Sequence, residues 1–178
     1  IPNLKHELID HANLLGLGID DLLKKNSHCL ALLFEARENR IHPQKDDKVL
    51  TDWNGLMISA FARAARVLGD EKYFETAQKA ADFCLSHLMT SNGRLLKRWR
   101  LGEAGLPGHL EDYAFLIQGL IDLYEAGGGT HYLSKAKRIL DSTRKHFEDK
   151  KGGGFFLTAD DGEKLLVRAK EIYDGAIP

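Results

Sequence analysis

Three aspartates occupy matching places in this sequence. Asp52 and Asp112 lie 60 residues apart and Asp174 follows 62 later, each beside an aromatic residue: Trp53, Tyr113 and Tyr173. Asn54 and Glu111 adjoin them, and His109 stands three residues ahead of Asp112. Carboxyls, an indole and amides gathered round a cavity are what a sugar site uses. Rings stack on aromatic faces, one carboxyl protonates a leaving oxygen, and another activates water. In that scheme Asp52, Glu111, Asp112 and Asp174 are the candidate catalytic acids. Trp53, Asn54, His109 and Tyr113 are candidate substrate-binding residues, with Arg98 and Trp99 leaning over from an extended stretch. His109 has a second role open to it, as the base of an epimerase acting on an open-chain sugar. Each assignment has a plainer rival. Asp is a preferred helix N-cap, His109 belongs to a Leu106-Pro107-Gly108 loop, and LKRWR (96–100) also reads as an amphipathic edge strand. Lys48 and Lys170, four residues before Asp52 and Asp174, are either partners of those acids or solvated surface lysines.

The elements that must position these groups follow from the apolar spacing. Residues 54–68 are apolar nearly all round, with alanines that permit close approach, and predict a helix buried on most sides. The helix expected over about 71–89 carries a single apolar stripe: Tyr73, Ala77, Ala80, Ala81, Cys84 and Leu88. The same pair recurs as a buried helix over 110–126 and a striped one over 131–147, and the stripe members fall 59 positions after their counterparts. Gly93-Arg94-Leu95-Leu96 is echoed by Gly153-Gly154-Phe155-Phe156, 60 on. The repeating unit is therefore a buried helix, an amphipathic helix and a Gly-led extended stretch. Ahead of it, Ile19–Arg40 reads as a helix with Asp20 and Asp21 in its first turn and Leu22, Leu30, Leu33 and Phe34 inside. Behind it, Gly154–Thr158 and Leu165–Arg168 flank Asp160-Asp161-Gly162 as a β-hairpin would.

Hairpins with one buried and one striped helix suit a ring, buried helices inside and striped ones outside. The expected fold class is all-α: an incomplete (α/α)6 toroid with short β-hairpin insertions, one partial domain over 1–178. A stacked solenoid is the rival, but the unit exceeds the roughly 34–47 residues of helical solenoids. In a ring the three aspartates would stand at the amino ends of successive inner helices and converge on one mouth. Unpaired N–H groups and helix dipoles there favour negative and oxygen-rich groups. A ring of six such hairpins needs roughly 360 residues, so inner helices of this chain would be left bare, and self-association or a missing remainder is expected to cover them.

Composition narrows the classes of function. The 178 residues include 25 Lys+Arg and 26 Asp+Glu, and that balance removes the electrostatic reason to expect nucleic acid or an anionic membrane. No stretch approaches the roughly 20 apolar residues that span a bilayer, and no signal peptide is read. A start at Ile1 rather than Met is not the expected native terminus. Cys29 and Cys84 are expected as reduced core residues in a reducing cytoplasm. The eight histidines show no metal-ligand spacing, and no cofactor motif is present, so no metal or cofactor is expected.

DDKVLTDWNGLMISAFARAA (46–65), HLEDYAFLIQGLIDLYEA (109–126) and AKEIYDGAIP (169–178) together resemble the thioredoxin-domain-containing YyaL / spermatogenesis-associated protein 20-like family. The resemblance implies an (α/α) toroid related to six-hairpin glycosidases and N-acylglucosamine 2-epimerases, of which this chain is the middle. It also implies an amino-terminal thioredoxin-like domain, which this sequence lacks. Asp52, Trp53, Asn54, Glu111, Asp112, Tyr113 and Asp174 match the family pattern and are implied to line the pocket. Two broad functions stay open: a carbohydrate-processing toroid, or a non-catalytic binding or scaffold module beside a thioredoxin-like domain.

Overall fold

The computed structural model of the chain describes residues 5–170, so Tyr173 and Asp174 lie outside the described residues. The chain divides into two units, up to Asp46 and from Asp47 onward. The first holds α1 (Leu8–Leu14) and α2 (Ile19–Glu38), with Asp20 and Asp21 in the first turn of α2 as its sequence predicts. No residue of α2 is buried, and Leu30, Leu33 and Phe34, expected inside, are exposed. The reason is a shortage of partners within the unit, where α1 has only seven residues and buries only Ala12. Cys29 is likewise exposed rather than a core residue.

The second unit begins with β1 (Val49–Leu50), which runs directly into α3 (Thr51–Leu68). Gly69 ends α3 with φ 68°, and Asp70 caps α4 (Glu71–Phe83) by accepting a hydrogen bond from the Lys72 amide. A π turn over Cys84–Leu88 closes that helix. Then come β2 (Leu96–Arg100), β3 (Glu103–Pro107), α5 (Leu110–Leu123) with its own π turn over Tyr124–Gly128, and α6 (Thr130–Phe147). The repeat expected from the sequence is thus present as two helical hairpins, α3–α4 and α5–α6, with a small sheet between them. The fold is all-α with that insertion.

Helices α3 and α5 lie side by side and run the same way. Their amino ends meet at Asp52 and Asp112, and their carboxyl halves meet through Arg63–Asp122 and Arg66–Glu125. Glycine makes the contact possible. A Cβ on Gly55 would sit 2.5 Å from the Phe115 carbonyl carbon, and one on Gly119 would sit 2.6 Å from the Gly55 oxygen. Ile58 and Ala62 of α3 then bury against Leu116, Leu120 and Leu123 of α5, with Ala77 and Ala81 of α4 and Tyr132, Ile139 and Phe147 of α6 completing the core. Met57 and Val67 remain exposed: α4 and α5 pack on α3 and leave part of it open, as expected for an inner helix of an incomplete ring.

The sheet is antiparallel in the order β1-β2-β3, with Leu50 opposite Arg98 and Trp99 opposite Ala104. LKRWR is therefore the central strand and not an edge. Leu101 and Gly102 turn it back with φ 51° and 84°, the left-handed pair whose twist suits a two-residue hairpin. The second hairpin expected over 154–168 does not form strands. Glu148 and Phe155 make a single bridge, and the chain beyond is held by the Arg168 guanidinium, which donates to the carbonyls of Thr158 and His146.

Candidate functional site

Asp52 is the second residue of α3 and Asp112 the third of α5, so neither is the N-cap residue itself, although Asp112 caps α5 from within its first turn as the acid of a capping box. Position fixes their partners. Asp112 Oδ2 accepts from the His109 amide at 2.8 Å, closing the first turn of its own helix, and Oδ1 accepts from the Asp52 amide at 3.1 Å. One carboxylate thereby satisfies amides at the starts of both helices, which would otherwise lack partners. Asp52 Oδ1 accepts from the Trp53 amide at 2.8 Å, leaving Oδ2 for a cation.

That cation is Lys97, a residue the sequence reading missed. Its Nζ lies 2.6 Å from Asp52 Oδ2 and 3.4 Å from Asp112 Oδ1. It comes from β2, which α3 grips just ahead of it: Thr51 Oγ1 donates to the Leu96 carbonyl at 2.5 Å, and Asn54 Nδ2 donates to the Leu50 carbonyl of β1 at 2.8 Å. Asp112 is 0% exposed and Asp52 3%. Burial pushes the Asp112 carboxyl up to about 6 against the pull of the His109 amide and Lys97, and the Asp52 charge adds to the rise. Burial by itself would lower Lys97, but the Asp52 hydrogen bond and the two carboxylate charges outweigh it and hold the ammonium above the ordinary lysine value.

The convergence expected of Asp52 and Asp112 is therefore present, and where a glycosidase pair holds its substrate these two hold a lysine. The carboxyls of such a pair flank the bond they cleave, about 5–5.5 Å apart in retaining enzymes and roughly 6.5–9.5 Å in inverting ones. Here an ammonium fills the space between them. The remaining candidates divide by exposure. Trp53 is 56% exposed, Glu111 and His109 are exposed, and Asn54 and Arg98 are half-buried. Tyr113 is in the core, packed on Phe147, with its hydroxyl accepting from Arg94 Nε and the Leu95 amide. Trp99 packs edge-on to Phe83 and His87 at the end of α4. Lys170 pairs with Asp149 at 2.5 Å. Asp174 lies outside the described residues.

Two further polar clusters are structural in their bonding. Asp122, at the other end of α3 and α5, accepts from Ser59, Arg63 and Gln118, and those bonds hold it below the usual carboxylate range despite burial. His146, Asp160 and Asp161 group closely enough to ligate an ion. However, His146 Nδ1 is 2.8 Å from Asp160, and the Arg94 guanidinium, 2.6 Å from Asp161, already supplies positive charge. Cys84, buried, has its thiol pushed up to about 12 by burial and is chemically quiet. Among the described residues no helix is long and apolar enough to cross a membrane.

With this geometry in view, comparison with known proteins is specific. The model of glycosyl hydrolase family 76 matches residues 46–158. Spermatogenesis-associated protein 20 of Homo sapiens is 38% identical over 173 residues, and that of Rattus norvegicus 42%, so the resemblance read from the sequence holds. Each match covers 92% of this chain but only 22% of the relative's length. Among solved structures, a family 76 α-mannanase of Bacteroides thetaiotaomicron matches with TM-score 0.59 at 18% identity, over 66% of this chain and 33% of that one. A cellobiose 2-epimerase of Bacillus thermoamylovorans matches with TM-score 0.57 at 21% identity, over 65% and 30%. At such identities these two establish the fold, a portion of an (α/α)6 toroid.

Proposed function

Since the chain belongs to glycosyl hydrolase family 76, we propose that it supplies part of a glycan-handling pocket, sited where the amino ends of α3 and α5 meet. The observation that carries this reading is the convergence of Asp52 and Asp112 on one ammonium, with exposed Trp53, Glu111 and His109 beside them at the starts of the two helices. In it, Asp52 is the anion held at the mouth, Trp53 the face on which a sugar ring stacks, and Glu111 the solvent-facing acid. Asp112 is the tie between the two helices. For hydrolysis, Glu111 donates a proton to the leaving oxygen while Asp52 accepts one from the attacking water. The α-mannanase likeness makes α-mannosides the first substrates to test, and the epimerase likeness makes reducing disaccharides the second, with His109 as the base. The test is turnover of a glycoside and disaccharide panel by the whole protein, with Asp52→Asn and Glu111→Gln beside it. Turnover lost in both variants supports the reading, and turnover untouched by either ends it.

A second reading is favoured by one observation: every oxygen of Asp112, and both of Asp52, already has a partner inside the protein. On that ground the mouth binds a glycan without processing it, as a module beside a thioredoxin-like domain. Saturable glycan binding that Trp53→Ala weakens about ten-fold, with no turnover of any panel member, selects it. The two unpaired cysteines fit a reducing, cytoplasmic setting.

A further inference from the structure

We propose that Lys97 is the positioning residue of this mouth, and that delivering it is what the inserted sheet is for. The inference rests on the glycan reading of the site and adds a residue that fixes its charge. The geometry is demanding. β2 is held on one side by β1, which continues without a break into α3, and on the other by β3, which leads into the loop before α5. The strand carrying Lys97 is thus anchored to the chain entering both acid-bearing helices. Its side chain is 22% exposed, and its Nζ is within 2.6 Å of one carboxylate and 3.4 Å of the other. The charged groups facing Asp112 are Asp52 from α3 and Lys97 from β2, with backbone amides from Asp52 and His109. Without Lys97 two anions would stand side by side, one of them fully buried, and one would have to take up a proton. With it, Asp52 has a cation on Oδ2 while its Oδ1 accepts from the Trp53 amide.

The sign of the pH dependence tests this independently of any sugar. Burial raises Asp112 to about 6, above the roughly 3.9 of an unfolded chain, so between those values the native state holds a proton that the unfolded state has lost. The associated stability is complete below about pH 4 and is lost as pH rises through about 6. Lys97→Met removes the cation that opposes the rise, so its loss of stability should continue past pH 7. Lys97→Arg should keep the wild-type window. The measurement is the thermal unfolding midpoint of the chain from pH 4 to 8 for wild type, both Lys97 variants, and Lys97→Met combined with Asp112→Asn, which should lose the window altogether. A Met variant whose midpoint is lowered by the same amount at every pH would make Lys97 a packing residue and overturn the inference. So would a double variant that retains the extended window. Glycan binding, measured separately, should weaken ten-fold or more in Lys97→Met and recover in Lys97→Arg. A wild type that binds no glycan but shows these windows sinks the glycan reading and leaves the positioning role standing. A wild type that binds, with a Met variant whose window is unshifted, does the reverse.

Discussion

One side chain starts two helices: Asp112 accepts from the Asp52 amide of α3 through Oδ1 and from the His109 amide ahead of α5 through Oδ2. Asp112→Ala therefore leaves two inward amides without acceptors and Lys97 with one anion instead of two. Each stranded amide costs roughly 1–3 kcal/mol, and breaking a buried charge cluster is of order 3–5 kcal/mol. We expect chemical denaturation to show a loss in that upper range, against less than about 1 kcal/mol for Trp53→Ala, whose ring is more than half exposed. Comparable losses in the two variants would mean that Asp112 is not the tie described here. Sequence spacing disclosed that Asp52 and Asp112 belong together because both obey the 60-residue register. It did not disclose Lys97, whose counterpart 60 on is Leu157, so the repeat carries no trace of it. The alternation of LKRWR was the available signal: Lys97 and Trp99 share a face, and Trp99 packs toward α4. Nor could spacing separate Trp53 from Tyr113. They occupy equivalent positions, yet Tyr113 is enclosed by Arg94, Leu95 and Phe147, while Trp53 stays open to solvent.

At the scale of elements, the decisive contact is the crossing of α3 and α5 at Gly55 and Gly119. Both glycines were visible in the sequence, and the alanines around them pointed to close packing. The distance that turns a small residue into a required one belongs to the fold. A methyl group at Gly55 would meet backbone atoms of Phe115 and Leu116 at 2.5–2.6 Å, and backbone cannot swing aside as a flexible side chain can. Gly55→Ala should separate the helices and destabilise the unit by about 3 kcal/mol, toward the upper end of overpacking costs. The same movement should pull Asp52 from Asp112, so the mouth ought to weaken with the seam. Gly162→Ala is the control: its nearest neighbour would be 3.7 Å away, and little change is expected. Equal denaturation midpoints for the two variants would show that the seam can relax and that its closeness is incidental. Helix type and order were readable because apolar periodicity survives at this scale. The π turns after α4 and α5 were not, since they alter hydrogen bonding within a helix without changing which residues face inward. The supposed hairpin over 154–168 misled because turn-forming residues between apolar pairs look the same whether or not strands pair across them.

For the whole molecule, the groove between α5 and α6 carries the remaining argument. It is a cavity of about 520 Å³ lined by Ile117, Ile121, Leu133, Ala136 and Leu140, with Thr130, Ser134 and Lys137 at its polar edge. Ala136 and Leu140 are the register counterparts, 59 residues on, of Ala77 and Ala81 in α4. Those alanines are fully buried in the core that α5 shares with α4, whereas Leu140 is 41% exposed. What covers Ala81 in the first hairpin is an inner helix, so the occupant that fits over Leu140, the one exposed member of the second stripe, is another helix of the same kind. The chain spans about a fifth of the length of the curated relatives it matches, and we propose a further hairpin of the same toroid as the occupant. Leu140→Lys separates this from its rivals. In the whole protein the substitution places an unpaired ammonium against a helix and should cost about 2–3 kcal/mol, read as a lower unfolding midpoint. In the 178-residue chain alone the groove is open, so the same substitution should leave the midpoint within about 0.5 kcal/mol and reduce concentration-dependent association in light scattering. If the whole protein is indifferent to the lysine and the isolated chain dissociates cleanly from dimer to monomer, the groove is instead the seat of a second copy.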